Sequence, residues 1–438
     1  MGTDAPRGDA SAATVIDGSG KYVTPGLIDG HVHLAQVPGM LLQHESAMPA
    51  VVEAYYRQLP RSYLYFGFTT VIDLNVVDRE RVETIRAAEI GPAVFDCGNA
   101  LALANGYPMA YGPPATRFKS YPNFLYDPRQ AASIPSEYPS NEHTPEAAVE
   151  RVVAGGGICV KAHYETGFDR RIGSLPVPTA NLMRQARDAG HRHRLPLLLH
   201  ANSLEAHRFA VEVGADAVVH GLWNFGGGLP GGRNLPEEVR EVLDAEVRNG
   251  IAYMPTSRVL SGLGDLFDSA FLNDPHLARV LPSELLAWYG TEEGGWFKSE
   301  MKRDFGGLSD ERILERWGTV SERHRATSYV AAQGARIIFG SDTPSAPTYA
   351  NPPGYNGYLE LREMEALGMT PRQVLVSATL ENARLFGLAN DYGTIAPGKV
   401  ASLLLLRENP LTSTVAFDTI ETIIVKGRSH SRKSLAAN

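Results

Sequence analysis

Two cysteines in 438 residues, Cys97 and Cys159, are too few for a disulfide framework or a thiolate-rich metal site. Any metal this chain holds must be bound through nitrogen and oxygen. No apolar run reaches the ~18 residues of a membrane span, and the start, MGTDAPRGDASAA, lacks the apolar core of a signal peptide. No basic block accompanies the formal net charge of −8, which argues against nucleic acid or an anionic membrane as a partner. A neutral or weakly charged small molecule is the expected substrate. Hydrophobic residues at 43% and charged residues at 21% leave no room for a disordered or fibrous chain. Also missing are a Walker lysine-serine pair beside GGGLPGGR (226–233), a second histidine four residues after His44-Glu45, and a G-x-S-x-G elbow. Phosphate-cradle, zinc-protease and serine-hydrolase readings fall with them, and 226–233 reads as a mobile loop.

What is present is an alternation of short strands and helices. Strands are expected at 27–33, 69–73, 93–97, 157–161, 196–200, 216–220, 251–255 and 336–341, each rich in Val, Ile, Leu or Phe. Between them run helical patterns such as SLEAHRFAVEVG (203–214), with Ser203 as start cap and Gly214 as stop. Eight strand–helix units predict an α/β fold, a TIM-type (β/α)8 barrel over 27–388, with its site at the carboxyl ends of the strands. The long segments 98–142, 221–234 and 256–316 each follow a strand and so gather on that face. They carry Tyr107, Tyr111, Tyr126, Trp223, Phe225, Trp288 and Trp296, divided between walling a substrate pocket and packing the loops down. TVIDGSGKYVTP, GTIAPGKVASLLLL and TIETIIVKGR read as further strands, so 1–26 and 389–438 are expected to form a small β-sandwich domain from both termini.

The stretch PGLIDGHVHL (25–34) raises the functional question. Residues two apart in a strand share a face, so His31 and His33 project together from its end with the spacing of a chelate. His191 and His193 have the same spacing but precede their strand between arginines, and are expected as solvated histidines at the opposite mouth. His200 closes LPLLLH, His220 closes DAVVH and Asp342 closes ARIIFGSD, which brings five metal-capable residues to strand termini on one rim. Lys161 ends GICVK on that rim. A buried lysine there is costly without a use. Its neutral amine can react with carbon dioxide to give a carbamate that bridges two cations; the bland alternative is a salt bridge to Asp342. Cys159 faces the same way one layer deeper, as packing. His163, two residues beyond Lys161 on the same face, is a candidate to hydrogen-bond substrate. Tyr107, Tyr164, Trp223 and Arg170, with Arg171 beside it, are candidate substrate contacts.

With these residues in place, the sequence resembles the amidohydrolase superfamily of metal-dependent barrel hydrolases over nearly its whole length. HVH at 31–33, Lys161, His200, His220 and Asp342 fall in the family's order. MTPRQVLVSATLENARLFGL (369–388) is similar to its last helices, and GADAVVHG (214–221) and GSDTP (340–344) resemble the branch of imidazolonepropionase and the Xaa-Pro dipeptidases. The resemblance implies two divalent metal ions, zinc foremost: His31, His33 and Asp342 on the more buried, His200 and His220 on the more exposed, N6-carboxylysine at Lys161 bridging them, and a hydroxide between. It implies hydrolysis of an amide-like C–N bond in a dipeptide, N-acyl amino acid or cyclic amide, or of an ester or lactone, with Asp342 as proton shuttle and His163 beside it. The alternative is a one-metal deaminase with Lys161 unmodified; a non-catalytic binding barrel ranks below both because every ligand position is filled. Three features depart from the family: few strands precede TVIDGSGKYVTPG, so the start is expected to be truncated; AHYETGFDRR replaces the glycine-rich continuation after the lysine; and 256–316 is a long insertion. Metal identity, self-association into a homo-oligomer and the compartment stay open, with cytoplasm favoured over export.

Overall fold

The computed structural model describes residues 15–168, 173–225, 235–319, 324–345 and 347–437. The glycine tract 226–233, Arg170 and Arg171 lie outside them. The strands are β1 (Tyr22–Pro25), β2 (Leu27–Val32), β3 (Phe68–Asp73), β4 (Ala93–Asp96), β5 (Val160–His163), β6 (Leu197–His200), β7 (Ala217–Val219), β8 (Ala252–Met254), β9 (Leu403–Leu406), β10 (Ile420–Val425) and β11 (Arg428–Ser431). Two parallel sheets, β2-β3-β4 and β5-β6-β7-β8, make an α/β core. Every residue of β2, β3, β5 and β6 is buried, as expected of parallel strands covered on both faces. Single parallel bridges, Leu101 to Ala162, Tyr253 to Ile337 and Val32 to Thr343, run from the first sheet to the second and back to β2.

The strands expected in the sequence form, with two changes. The expected strand 336–341 contributes only the bridge at Ile337. The expected strand 157–161, observed as β5, begins at Val160 rather than 157, because the glycines 155–157 turn the chain after the helix Pro145–Ala154, with Gly156 in the left-handed region at φ 73°. Lys161 is therefore the second residue of β5 and His163 its last. In register, Lys161 lies beside Leu198 and His163 beside His200.

Local signals hold in the helices that cover the sheets. Ser203 accepts a hydrogen bond from the Ala206 amide to start the helix Leu204–Val213, and Gly214 ends it at φ 65°. Asp78, Thr144 and Thr179 cap earlier helices in the same way. The insertion expected as loop over 256–316 is mostly helical, with helices Arg258–Asp265, Ser283–Tyr289 and Trp296–Asp304. Its aromatics pack the chain down: Tyr289 donates to the Pro38 carbonyl (2.7 Å), Trp296 donates to the Gly39 carbonyl (2.9 Å), and the Trp288 ring lies 5.3 Å from that of His44.

One expectation from composition needs correction. Cys97 and Cys159 are joined as a disulfide, although Cys159 alone reads as packing; the Ile158 amide donates to the Asp96 carbonyl (2.9 Å) beside them, and the cysteine Cα atoms lie 4.7 Å apart. Segments from both halves of the expected terminal domain meet in one antiparallel sheet, β1-β9-β10-β11. A second sheet to complete a sandwich is absent among the described residues. No helix among them is long and apolar enough to cross a membrane.

Candidate metal centre

Period-two alternation places Asp29, His31 and His33 on one face at the end of β2, and all three turn toward the loop that carries Asp342. The Nε2 atoms of His31 and His33 both lie 2.9 Å from Asp342 Oδ1. One ligand atom from each of these three residues lies within 4.8 Å of the others, a spacing that suits a shared cation. His31 is 1% exposed and its Nδ1 has no hydrogen-bond partner. His220, just past β7, places Nδ1 3.9 Å from Asp342 Oδ2, and its ring centroid is 5.4 Å from that of His31 and 4.5 Å from that of His200. Lys161 is 2% exposed and its Nζ has neither a hydrogen-bond partner nor a carboxylate within ion-pair distance. The salt bridge to Asp342 weighed above is thus not formed.

Burial dominates the electrostatics. It holds His31 down at about 3 and pushes His163 and His220 well below, and His200 below, the ordinary histidine value. His33 is the exception: burial opposes its charge, but the hydrogen bond to Asp342 and that carboxylate's charge lift it above 6.5. Burial would raise Asp342, yet His31 and His33 hold it well below the usual carboxylate range. The Lys161 amine is pushed by burial to about 7, against the pull of Asp342. Neutral imidazoles, an ionised carboxylate and a lysine ready to lose its proton are the states that bind a cation or a carbon dioxide.

The six candidate ligands share one cavity of about 920 Å³ with His163, Tyr107, Tyr121, Val37 and Met40. Tyr107 lies 4.9 Å from the His200 ring and 5.5 Å from the His163 ring. Burial keeps its phenol protonated, so it can only enter the site as a neutral donor or acceptor. Trp223 does not line the cavity but stacks on Phe168, whose ring is 6.4 Å from His200. Tyr164 is not brought to the cavity: the alternation that turns His163 inward puts the next residue on the opposite face, and its ring packs on Phe209 at 4.6 Å. At the mouth, Arg79 grips Asp96 with two hydrogen bonds, and Arg81 stands 4.0 Å over the Tyr56 ring and 3.8 Å from Glu45. His191 and His193 pair with Asp216 (2.8 Å) and Glu150 (3.0 Å), remote from the cavity, as their position before β6 predicts.

Several supporting residues escaped the sequence reading. Asp29, fully buried and raised to about 7 by that burial, accepts from the Ser341 amide (2.9 Å), the Ser341 hydroxyl (2.6 Å) and the His31 amide (3.2 Å). It ties the end of β2 to the Asp342 loop. Its signal was there: Asp29 precedes His31 by two, on the same face. Asp73 holds the chain after His33 by accepting from the amide of Leu34 (2.9 Å). Thr256 contacts His220 Nδ1 at 2.8 Å. His220, Thr256 and Asp342 all have left-handed backbones, with φ of 78°, 44° and 53°. Such positions cost about 1–3 kcal/mol each and concentrate at functional sites. Gly340 admits the close approach of two strand ends, since a Cβ there would lie 2.7 Å from that of His31.

The amidohydrolase family model matches residues 22–429. No curated protein matches the chain in sequence. Among solved structures, the chain is similar to an Xaa-Pro dipeptidase with methionine bound in its active site, at 20% identity over 94% of this chain and 87% of that one, with a TM-score of 0.59. It is similar to the ochratoxinase of A. niger at 19% identity, covering 93% and 82% of the two chains with a TM-score of 0.62. A molinate hydrolase gives 19% identity, 98% and 88% coverage, and a TM-score of 0.62. At such identities these likenesses establish the fold.

Proposed function

The chain belongs to the amidohydrolase family, and from that premise we propose that it is a metal-dependent hydrolase of an amide-like C–N bond in a small molecule. The observation that carries the reading is the buried convergence of His31, His33 and Asp342 beside the unpartnered amine of Lys161. We assign His31, His33 and Asp342 to a more buried ion and His200 and His220 to a second, with Lys161 between them as its carbamate. The donor set fits, because all are nitrogen or oxygen and every histidine but His33 is held neutral by burial. We read the interrupted ring of strands as an eight-stranded barrel with this site at its carboxyl end.

Divalent cations held there supply Lewis acidity toward a carbonyl and lower the pKa of water from 15.7 to roughly 7. The chain's own residues do the rest. Asp342 Oδ1, which faces the His31 and His33 nitrogens, would hold their shared ion with them, and Oδ2 would take the proton from the attacking water and return it to the departing nitrogen. His163, neutral and lining the cavity, donates a hydrogen bond to the substrate carbonyl oxygen as charge develops on it. Tyr107 closes the cavity over His200 and, with Val37, Met40 and Tyr121, contacts the substrate's apolar portion. Trp223 serves the rim through Phe168. Dipeptides, N-acyl amino acids and cyclic amides are the leading substrates, with esters and lactones next. The relatives named above are hydrolases of different small molecules, which supports the reaction class rather than one substrate.

A one-ion deaminase is the second reading, favoured by one observation: among the described residues only His31, His33 and Asp342 form a tight three-ligand group. It would leave the buried Lys161 amine without a role. Elemental analysis of protein purified without added metal, with turnover of a panel of dipeptides, N-acyl amino acids and lactones, tests both. About two ions per chain with cleavage of an amide is expected. One ion with ammonia release from an amino-substituted ring would transfer the assignment to the deaminase, and no ion at all would end both.

A further inference from the structure

Beyond β5 the alternation Lys161, His163 continues to Glu165, which stays buried at 7% exposure although the strand has ended. A buried carboxylate is costly unless its oxygens are matched by donors. Glu165 Oε1 accepts from the Gly167 amide at 2.8 Å, and Oε2 accepts from Asn202 Nδ2 at 2.8 Å. Oε2 also faces His200 Nε2 at 3.4 Å. Asn202, two residues past His200 and 2% exposed, braces the carboxylate against the imidazole from the β6 side. Tyr107 covers one side of the His200 ring at 4.9 Å. Packing therefore sets the ring's plane, and Glu165 is the only carboxylate among the described residues within ion-pair distance of it.

A neutral imidazole has one N–H and one lone pair, and an ionised carboxylate can only accept. Glu165 Oε2 offers the Nε2 edge of His200 an acceptor and Asn202 Nδ2, also 3.4 Å from that nitrogen, offers it a donor, so the pair holds the ring by this edge in either tautomer. Glu165 does not line the substrate cavity, so its carboxylate acts on the imidazole and not on substrate. We infer that Glu165 is a positioning residue that holds His200 by its Nε2 edge, so that Nδ1 is the atom offered to a cation. His220 shows the opposite arrangement, with Nδ1 engaged by the Thr256 hydroxyl and Nε2 left for the ion. Partners of this kind orient a ligating ring and raise its basicity. The inference rests on the metal reading above and adds which nitrogen binds and what sets it.

The test uses the zinc-loaded full-length protein and chelator competition, which reports the affinity of each ion. Glu165→Gln preserves volume and removes the charge. It is expected to weaken one ion by about 10- to 100-fold while the other keeps its wild-type affinity. Thermal unfolding of the metal-free protein, unchanged between the two, separates this from a general loss of structure. Wild-type affinity for both ions in Glu165→Gln would overturn the inference and leave the hydrolase reading standing. Wild-type protein that takes up no zinc would overturn that reading itself. A crystal structure of the zinc-loaded wild type decides without any variant: His200 bound through Nδ1 is expected, and binding through Nε2 refutes the role of Glu165.

Discussion

Replacing Lys161 by alanine separates a bridging ligand from a buried bystander. The Nζ atom is without a partner, 2% exposed, and lines the cavity of the four histidines. Its pKa falls from 10.5 to about 7 on burial. At pH 7 about half of such amines are neutral, against roughly one in 3,000 at the unshifted value, so the form that attacks carbon dioxide is enriched on the order of a thousandfold. Metal-stripped wild-type protein should therefore reload with zinc readily when bicarbonate is present and poorly in carbon dioxide-free buffer. Lys161→Ala should hold fewer than two ions in either buffer. Its turnover should fall by more than about 100-fold, the upper range for disturbing a residue that merely supports a ligand. Short carboxylic acids, which supply the two missing oxygens, should restore part of both. The readouts are elemental analysis and steady-state turnover on whichever amide the wild type cleaves. A Lys161→Ala protein with two ions and full turnover would refute the bridging role, and bicarbonate-independent loading of the wild type would refute the carbamate.

Metal affinity should decline as pH falls through 7, led by protons on Lys161 and on His33, which Asp342 lifts above 6.5, while His31 stays neutral down to about 3. Titration calorimetry that finds a flat affinity down to pH 4 would contradict the ligand assignment. Arg258, 3% exposed, donates to Asn356 (3.1 Å) and Glu363 (3.1 Å) and pairs with Asp265. Arg258→Met strands these carboxylates and should cost about 3–5 kcal/mol in denaturant unfolding; a loss below about 1 kcal/mol would show the cluster is idle. His276 is raised by its hydrogen bond to Asp418 and by Asp274, and both aspartates are lowered; for each, burial opposes the charge, but for Asp274 the hydrogen bonds from Tyr355 and His276, and for Asp418 those from His276 and Arg432, outweigh it. The histidine's contribution to stability is complete below 6.5 and lost as pH rises through its raised value. Those of the aspartates are complete above 3.8 and lost as pH falls through their lowered values. His276→Ala should therefore destabilise the protein more at pH 5 than at pH 9, and equal losses would refute the pairing.

Much of the candidate site is legible in the sequence, for a reason visible in single residues. Strand geometry repeats every two residues, so His31 with His33 and Lys161 with His163 had to share faces, and a polar residue closing an apolar run had to sit at a strand end. That is why the ligand candidates converge although they are scattered from 31 to 342. What lies opposite a face is not legible in the same way. Tyr164, one residue past His163, falls on the other face by the same alternation, and no neighbouring residue names Phe209, the surface it covers. Asp29 and Glu165 obey the same alternation as the ligands, yet only their partners, Ser341 and His200, give them a part in the site.

Chain order and residue pattern, then, were enough to determine the parallel α/β core, the helix caps at Ser203 and Gly214, and the shared facing of the ligand candidates, since all of these follow from backbone periods of a few residues. Tertiary structure alone decided the bond between Cys97 and Cys159, the Asp29 tie to the Asp342 loop, the helical packing of 256–316, and the single terminal sheet. Each of these depends on the register of segments tens to hundreds of residues apart. Register is settled by the summed packing of whole strands and helices, which no local stretch of sequence contains.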